Sequence, residues 1–357
     1  MLENRFALLL IVFIGLIVTI EGVALNCHKL KCSTYYPSSI DKVRPIDIKT
    51  IMAMGDSITA AFALSYQKIG DFIGESRGMS WVIGGDGGNC STIPNFMKSV
   101  GCNITGQSYG KSLPYHHFMP ESIRSHSRDV DTCQLNAAVS QSRLKDLVEQ
   151  LEYLKISMDD MKEPINVKLD WKFLSIFIGA NDICESCDEK LKTVDYWKLN
   201  FQKLLLSIRD TLPRTLVSII LLPDISPIDS LSKDQFCYKT RHFLGFCDCA
   251  NTESGRSTMV KTRLSLNQII QDTADHINAL NFTDFGVVTQ PALVDTTLKL
   301  DYLSKFDCFH LSEKGSSLAA TAIWNNILTP KSKKKTIINE NDHPMCPTED
   351  TYLFNNN

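Results

Sequence analysis

Ser57 follows Gly55-Asp56 at the end of the apolar run Ile51-Met-Ala-Met. A serine delivered to the open rim of a sheet keeps its hydroxyl free while nearby backbone N–H groups point the same way, which is what a nucleophile needs. Far along the chain, Asp307-Cys308-Phe309-His310 precedes a helical stretch. In that spacing a turn folds the Asp307 carboxylate onto one imidazole nitrogen of His310 and leaves the other for the serine. Two further blocks could polarise a carbonyl. Gly84-Gly85-Asp86-Gly87-Gly88 lacks the Cβ atoms that would hold a backbone N–H away from a ligand, and Gly179-Ala180-Asn181-Asp182 offers a side-chain amide. Singly these blocks have plainer uses as turns and helix caps. Together they supply nucleophile, base, orienter and two kinds of oxyanion donor, the parts of acyl transfer.

Gly106-Gln-Ser108-Tyr-Gly110 is a rival, because it matches the G-x-S-x-G nucleophile elbow and the Ser57 block does not. That elbow works only on a sharp turn between strand and helix, and neither flank of Ser108 fits one. Cys184-Glu-Ser-Cys187 and Cys247-Asp-Cys249, with His242 nearby, could be zinc half-sites. A second C-x-x-C is missing, and disulfide pairing is the plainer outcome, either between Cys184 and Cys187 or from them to Cys237, Cys247 and Cys249.

The elements that must position these residues alternate. Residues 48–54, 81–83, 171–178, 216–222 and 285–289 read as strands, several so continuously apolar that both faces must be buried. Helical patterns cover residues 139–155, 196–211, 258–280 and 312–328, the last with Ser312 as N-cap. This order predicts a parallel sheet with helices on both sides, and the Ser57, glycine-rich and Asn181 blocks fall at strands' C-terminal ends while Asp307–His310 precedes the last helix. We divide the chain into a leader (1–24), an N-terminal extension (25–46), a catalytic domain (47–330) with a Cys-rich insertion at 226–257, and a tail (331–357).

The leader rests on residues 6–20, which carry no charge. As a helix they reach about 22 Å, short of the roughly 30 Å hydrocarbon core, so a signal peptide cleaved near Ala24 is expected, with an uncleaved anchor as the alternative. All twelve cysteines lie beyond that point, as an oxidising compartment requires. Sequons at Asn89, Asn103 and Asn281 fit the same route. A secreted or secretory-lumen protein follows, with no apolar stretch at its end for an anchor. The formal net charge of −3 gives no basic footprint for nucleic acid. Lys331-Ser-Lys-Lys-Lys335 either meets anionic lipid headgroups or is a solvated tail. The oligomeric state is not legible.

These blocks resemble those of the GDSL or SGNH hydrolases, in particular the phospholipase B-like branch. The likeness extends through Arg77-Gly-Met-Ser-Trp-Val-Ile-Gly-Gly-Asp-Gly87, Leu135-Asn-Ala-Ala-Val-Ser140, the stretch from Asp170 to Cys184, Asp307-Cys-Phe-His-Leu-Ser-Glu-Lys-Gly315 and Cys346-Pro-Thr. It implies a flavodoxin-like three-layer α/β/α sandwich with a mainly parallel sheet. It also implies metal-free, cofactor-free hydrolysis of carboxylic esters in phospholipids or lysophospholipids at a membrane or micelle surface. By position it makes Ser57 the nucleophile, His310 the base and Asp307 its orienter, with the Ser57 N–H, the Gly85 N–H and the Asn181 side chain as oxyanion hole. The alternatives are an esterase for non-lipid acyl groups and a catalytically silent lipid-binding relative.

Overall fold

The computed structural model describes residues 27–32, 34–87, 91–101, 103–114, 129–233 and 235–354. The leader and the Asn89 sequon lie outside them. Four parallel strands form one sheet in sequence order: β1 (Ile48–Gly55), β2 (Trp171–Phe177), β3 (Thr215–Ile220) and β4 (Phe285–Gln290). Every residue of β2 and β3 is buried, as their unbroken apolar runs demand. Lys172 conforms by donating its ammonium to the carbonyls of Val167, Asp170 and Pro213 at the end of the sheet, and burial pulls its pKa down to about 8.

The principal helices are α1 (Ile93–Ser99), α2 (Leu147–Asp159), α3 (Ala180–Cys184), α4 (Thr193–Thr211), α5 (Phe236–Leu244), α6 (Glu253–Ala279) and α7 (Glu313–Ile327). One layer runs from α2 to α4 to α6, and a second pairs α1 with α7; both α6 and α7 reach β4. The expected α/β layering therefore stands. The Ser312 hydroxyl accepts from the Gly315 N–H at 3.1 Å, as an N-cap does. Gly315 is obligatory there, since a Cβ would stand 2.2 Å from the Tyr302 carbonyl. The pattern at 139–155 is helical only from residue 144, first as a 3-10 turn and then as α2.

The strand expected at 81–83 does not form. Those residues turn back locally, with the Ile83 N–H bonded to Ser80 O, because three apolar residues ahead of Gly84-Gly85 are too few to span the sheet. Loop segments take the free edge of β1 instead: the Ile51 N–H donates to Thr105 O, the Ala53 N–H to Leu135 O, and the Ala137 N–H returns a bond to Ala53 O. The insertion at 226–257 folds into α5, short flanking turns of helix and the first turn of α6. Extension and tail pack together, joined by Cys27–Cys346 and by the Leu353 N–H on Val43 O. The basic cluster is mostly engaged: Lys331 pairs with Asp275, Lys335 with Asp342, and the Lys334 ammonium donates to Thr289 O and Gln290 Oε1. Burial draws Lys334 down to about 7, so this cluster is a poor headgroup clamp.

Candidate active site

β1 ends at Gly55, opposite Phe177 of β2. The chain then turns because Asp56 Oδ1 accepts the Ile58 N–H at 2.9 Å and Asp56 O accepts the Ala60 N–H, leaving Ser57 on the rim. No described residue accepts from the Ser57 N–H. Asp56 is fully buried and its Oδ2 finds no partner; desolvation pushes its pKa up to about 7 against the opposing pull of His310.

Residues 304–310 form a turn. Asp307 Oδ1 accepts the N–H groups of Phe309 and His310 at 3.0 Å, and its Oδ2 lies 2.6 Å from His310 Nδ1. Cys308 adopts φ +52°, and the Ser304 N–H closes the turn on His310 O. The other imidazole nitrogen, Nε2, lies 2.7 Å from Ser57 Oγ. All three residues are at most 5% exposed. Phe62, Phe309 and Phe246 set ring edges around the imidazole at centroid distances of 4.8, 5.1 and 5.8 Å. Chemically this is a hydroxyl whose proton has an acceptor, and an acceptor whose positive charge has a carboxylate.

Asn181 stands just beyond β2 on the same rim as Ser57. Gly179, at φ +121°, makes the turn that starts α3 there. One N–H of the Asn181 amide donates to Ser142 O at 3.0 Å, which leaves the second available. Gly85 differs from expectation. Its N–H donates to Ser108 O at 2.7 Å, and the neighbouring N–H groups of Gly84 and Asp86 are bonded to Ser80 O and Gly78 O. The glycine stretch spends these amides on backbone pairing in place of the missing strand, so Gly85 offers no free donor.

The rival Ser108 has no exposed surface. Its hydroxyl donates to Arg77 O at 2.7 Å and accepts from the Asn136 amide at 3.2 Å, a structural pair of bonds. The zinc reading fails on covalency, because Cys184 is bonded to Cys247 and Cys187 to Cys249; among the described residues no metal-ligating group of acids, His and Cys forms. Cys237 is joined to Cys308, between Asp307 and His310 in sequence. The four disulfides between described residues fit the oxidising compartment, and no described helix is long and apolar enough to cross a membrane. Asn103 and Asn281 are both exposed.

Gln150 is the residue that the sequence reading missed. Buried on α2, it pairs with both backbone groups of Gly55: Oε1 accepts the Gly55 N–H and Nε2 donates to Gly55 O, each at 2.8 Å. Nε2 also reaches Ser142 Oγ at 3.0 Å, and Ser142 O is the acceptor for Asn181. A signal was available: Gln150 interrupts the apolar stripe Leu147, Leu151, Leu154, and a polar group on such a stripe needs partners. Asp182, beside Asn181, accepts from Trp197 Nε1 and the Leu144 N–H while burial raises it to about 6.

Residues 51–323 match the family model described as GDSL-like Lipase/Acylhydrolase. The chain is 28% identical over 356 residues to "Phospholipase B1, membrane-associated" of Homo sapiens, and 29% identical over 349 residues to the protein of that name from Rattus norvegicus. Each alignment covers 92% of this chain but 22% of the relative, so the chain spans about a fifth of their length. Among solved structures, an extracellular lipase from Streptomyces rimosus aligns over 75% of this chain and 95% of its own, at 14% identity and a TM-score of 0.37.

Proposed function

We propose that this chain, which belongs to the GDSL-like lipase/acylhydrolase family, hydrolyses the carboxylic ester bonds of phospholipids or lysophospholipids through an acyl-enzyme on Ser57. The observation that carries the reading is the unbroken hydrogen-bond chain from Asp307 through His310 to Ser57, at 2.6 and 2.7 Å. As Ser57 Oγ attacks the ester carbon, His310 Nε2 takes its proton and Asp307 stabilises the resulting imidazolium. Charge gathers on the carbonyl oxygen, to be met by the Ser57 N–H and the second Asn181 N–H. His310 then returns the proton to the departing alcohol. Water, activated by the same nitrogen, attacks the acyl carbon and frees the fatty acid and Ser57. No metal or cofactor is needed for any step.

The lipid substrate is supported by the names of the relatives, and secretion by the disulfides among the described residues. Asn103 and Asn281 are placed to carry glycans, which an endoglycosidase mass shift would register. The test of the reading has two arms. A fluorophosphonate should label the secreted wild type and leave Ser57→Ala unlabelled. A panel of phospholipids, lysophospholipids and simple acyl esters, with products weighed by mass spectrometry, should return free fatty acid from the lipids. Turnover of simple esters alone would move the substrate to non-lipid acyl groups; absence of labelling would end the hydrolase reading.

A further inference from the structure

Helix α5 is built inside out. Arg241 on it is fully buried, its guanidinium held by Asp229 at 2.5 Å, Asn251 at 3.1 Å and Phe246 O at 3.1 Å, and Cys237 four residues earlier is buried by its bridge to Cys308. On the other side Phe236 and Phe243 are 61% and 89% exposed, with exposed Lys239 between them at helical spacing. An amphipathic helix normally does the reverse. The loop after Ser57 repeats the arrangement, with Ile69 80% and Ile73 44% exposed and Phe72 beside them.

Both segments are fastened to the turn that carries His310. On the loop side the Ser304 hydroxyl donates to Ala63 O at 2.7 Å and the Phe306 ring packs on Phe62 and Tyr66; on the helix side stands the Cys237–Cys308 bond. Lys68, Ile69, Gln235, Phe236, Ser304 and Lys305 line one groove. The exposed charges on this rim are mostly positive in a chain of net −3. Lys68, Lys239 and Lys305 are exposed, and the Lys111 ammonium lies 5.7 Å from the Phe72 ring. The acids nearby are fewer: Asp301 is paired with Lys314, Asp71 accepts the backbone N–H groups of Gln67 and Lys68, and Glu313 stands in the first turn of α7.

We propose that this rim docks onto an anionic phospholipid bilayer, with Ile69, Phe72, Ile73, Phe236 and Phe243 entering the interface and the lysines meeting headgroup phosphates. The inference rests on the lipid-ester reading and adds to it the face through which substrate is reached. Exposed aromatic and aliphatic tips with lysines set among them suit a lipid boundary that is apolar beneath and anionic above.

The test uses the full chain carrying Ser57→Ala, so that vesicles are not consumed, sedimented with vesicles of phosphatidylcholine alone or with 30% phosphatidylserine. Binding should be tighter to the anionic vesicles and should weaken as salt rises. Adding Phe236→Ser and Phe243→Ser, at exposed positions that leave the fold intact, should weaken it about tenfold for each ring removed. In the Ser57 enzyme the same pair should lower hydrolysis of vesicle phospholipid while leaving a soluble p-nitrophenyl ester unaffected. A chain that hydrolyses the soluble ester yet ignores both vesicles, or binds equally well without the two rings, would overturn the docking surface and leave the hydrolase reading standing. Rings that prove necessary for self-association, and not for vesicle binding, would overturn it in favour of a second copy. Vesicle binding by a chain inert toward every ester would uphold the surface and sink the hydrolase.

Discussion

Asp307 and His310 are three residues apart, and apart from the contact with Ser57 the hydrogen bonds that fix them are made within residues 304–310. The oxyanion side of the same site is assembled from distant pieces. Asn181 leans on Ser142, Ser142 on Gln150, and Gln150 on Gly55, the last two at a sequence separation of 95. Gly85, expected among the donors, is bonded to Ser108. The proposed proton relay thus draws its hydrogen bonds from a local turn, tied outward through Ser304 and Cys308, whereas the proposed donors share their hydrogens with the scaffold. Damage to the fold should therefore reach the donors first.

The largest effect should come from the relay itself. Ser57→Ala should cut turnover by about 10⁴–10⁶-fold with the melting temperature nearly unchanged, because the rim hydroxyl contributes little to the core. Ser108→Ala is the contrasting change: it should stay active but lose about 1–2 kcal/mol of stability in urea unfolding, since it removes a buried hydroxyl with two partners. A dead Ser108→Ala and a live Ser57→Ala would break the comparison outright.

On the donor side, Asn181→Ala should lower kcat about 10²–10³-fold with KM little altered, because the amide meets charge that develops only in the transition state. Activity above that of Ser57→Ala should survive through the Ser57 N–H. A folded Asn181→Ala enzyme running at the wild-type rate would leave the donor side without its side chain. Gln150→Leu sharpens the contrast, since it touches no substrate. It strands the Gly55 N–H and leaves the Gly55 carbonyl with the Val139 N–H alone, which should cost about 1–3 kcal/mol, and the displaced rim should lower kcat roughly tenfold. If stability falls and kcat does not, the donors do not depend on that network.

The smallest effect is on pH. Asp56 has an ordinary value of 3.8 and a folded value of about 7, so between those limits the native state holds a proton that the unfolded chain has released. Stability should then fall as pH rises from about 4 to 7 and level off beyond. His310 opposes this shift and Asp182 adds to it. Asp56→Asn should flatten most of the decline in melting temperature, leaving the smaller part due to Asp182, which is raised to about 6. An unchanged slope would mean that Asp56 is ionised in its burial.

The hydrogen-bonded arrangement of Asp307, His310 and Ser57 was legible because its geometry is local: an Asp three residues before a His needs one turn, and a serine after an apolar run needs one strand end. Strands β1 to β4 were legible for a related reason, since an unbroken apolar run buried on both faces leaves few alternatives. The stretch 81–83 is as apolar as those strands but too short to hold a place in the sheet, and the free edge of β1 went to the carbonyls of Thr105 and Leu135. Such pairing depends on how loops far apart in sequence meet. The fate of the Gly85 amide followed from it. Cysteine connectivity was half legible: the two sets were named, and the structure chose Cys184–Cys247 and Cys187–Cys249 while sending Cys237 to Cys308.

The bridge between Cys27 and Cys346 spans 319 residues of sequence but only 5.5 Å between Cα atoms. Tension applied to the chain outside this pair is carried across the covalent bond, bypassing the sheet and both helical layers that lie between. The catalytic unit is in effect mechanically short-circuited. A pull that would peel β1 from β2 in the reduced protein would leave Ser57 and His310 at their working distance in the oxidised one, and force spectroscopy with and without reductant would show the difference as a missing length of released chain.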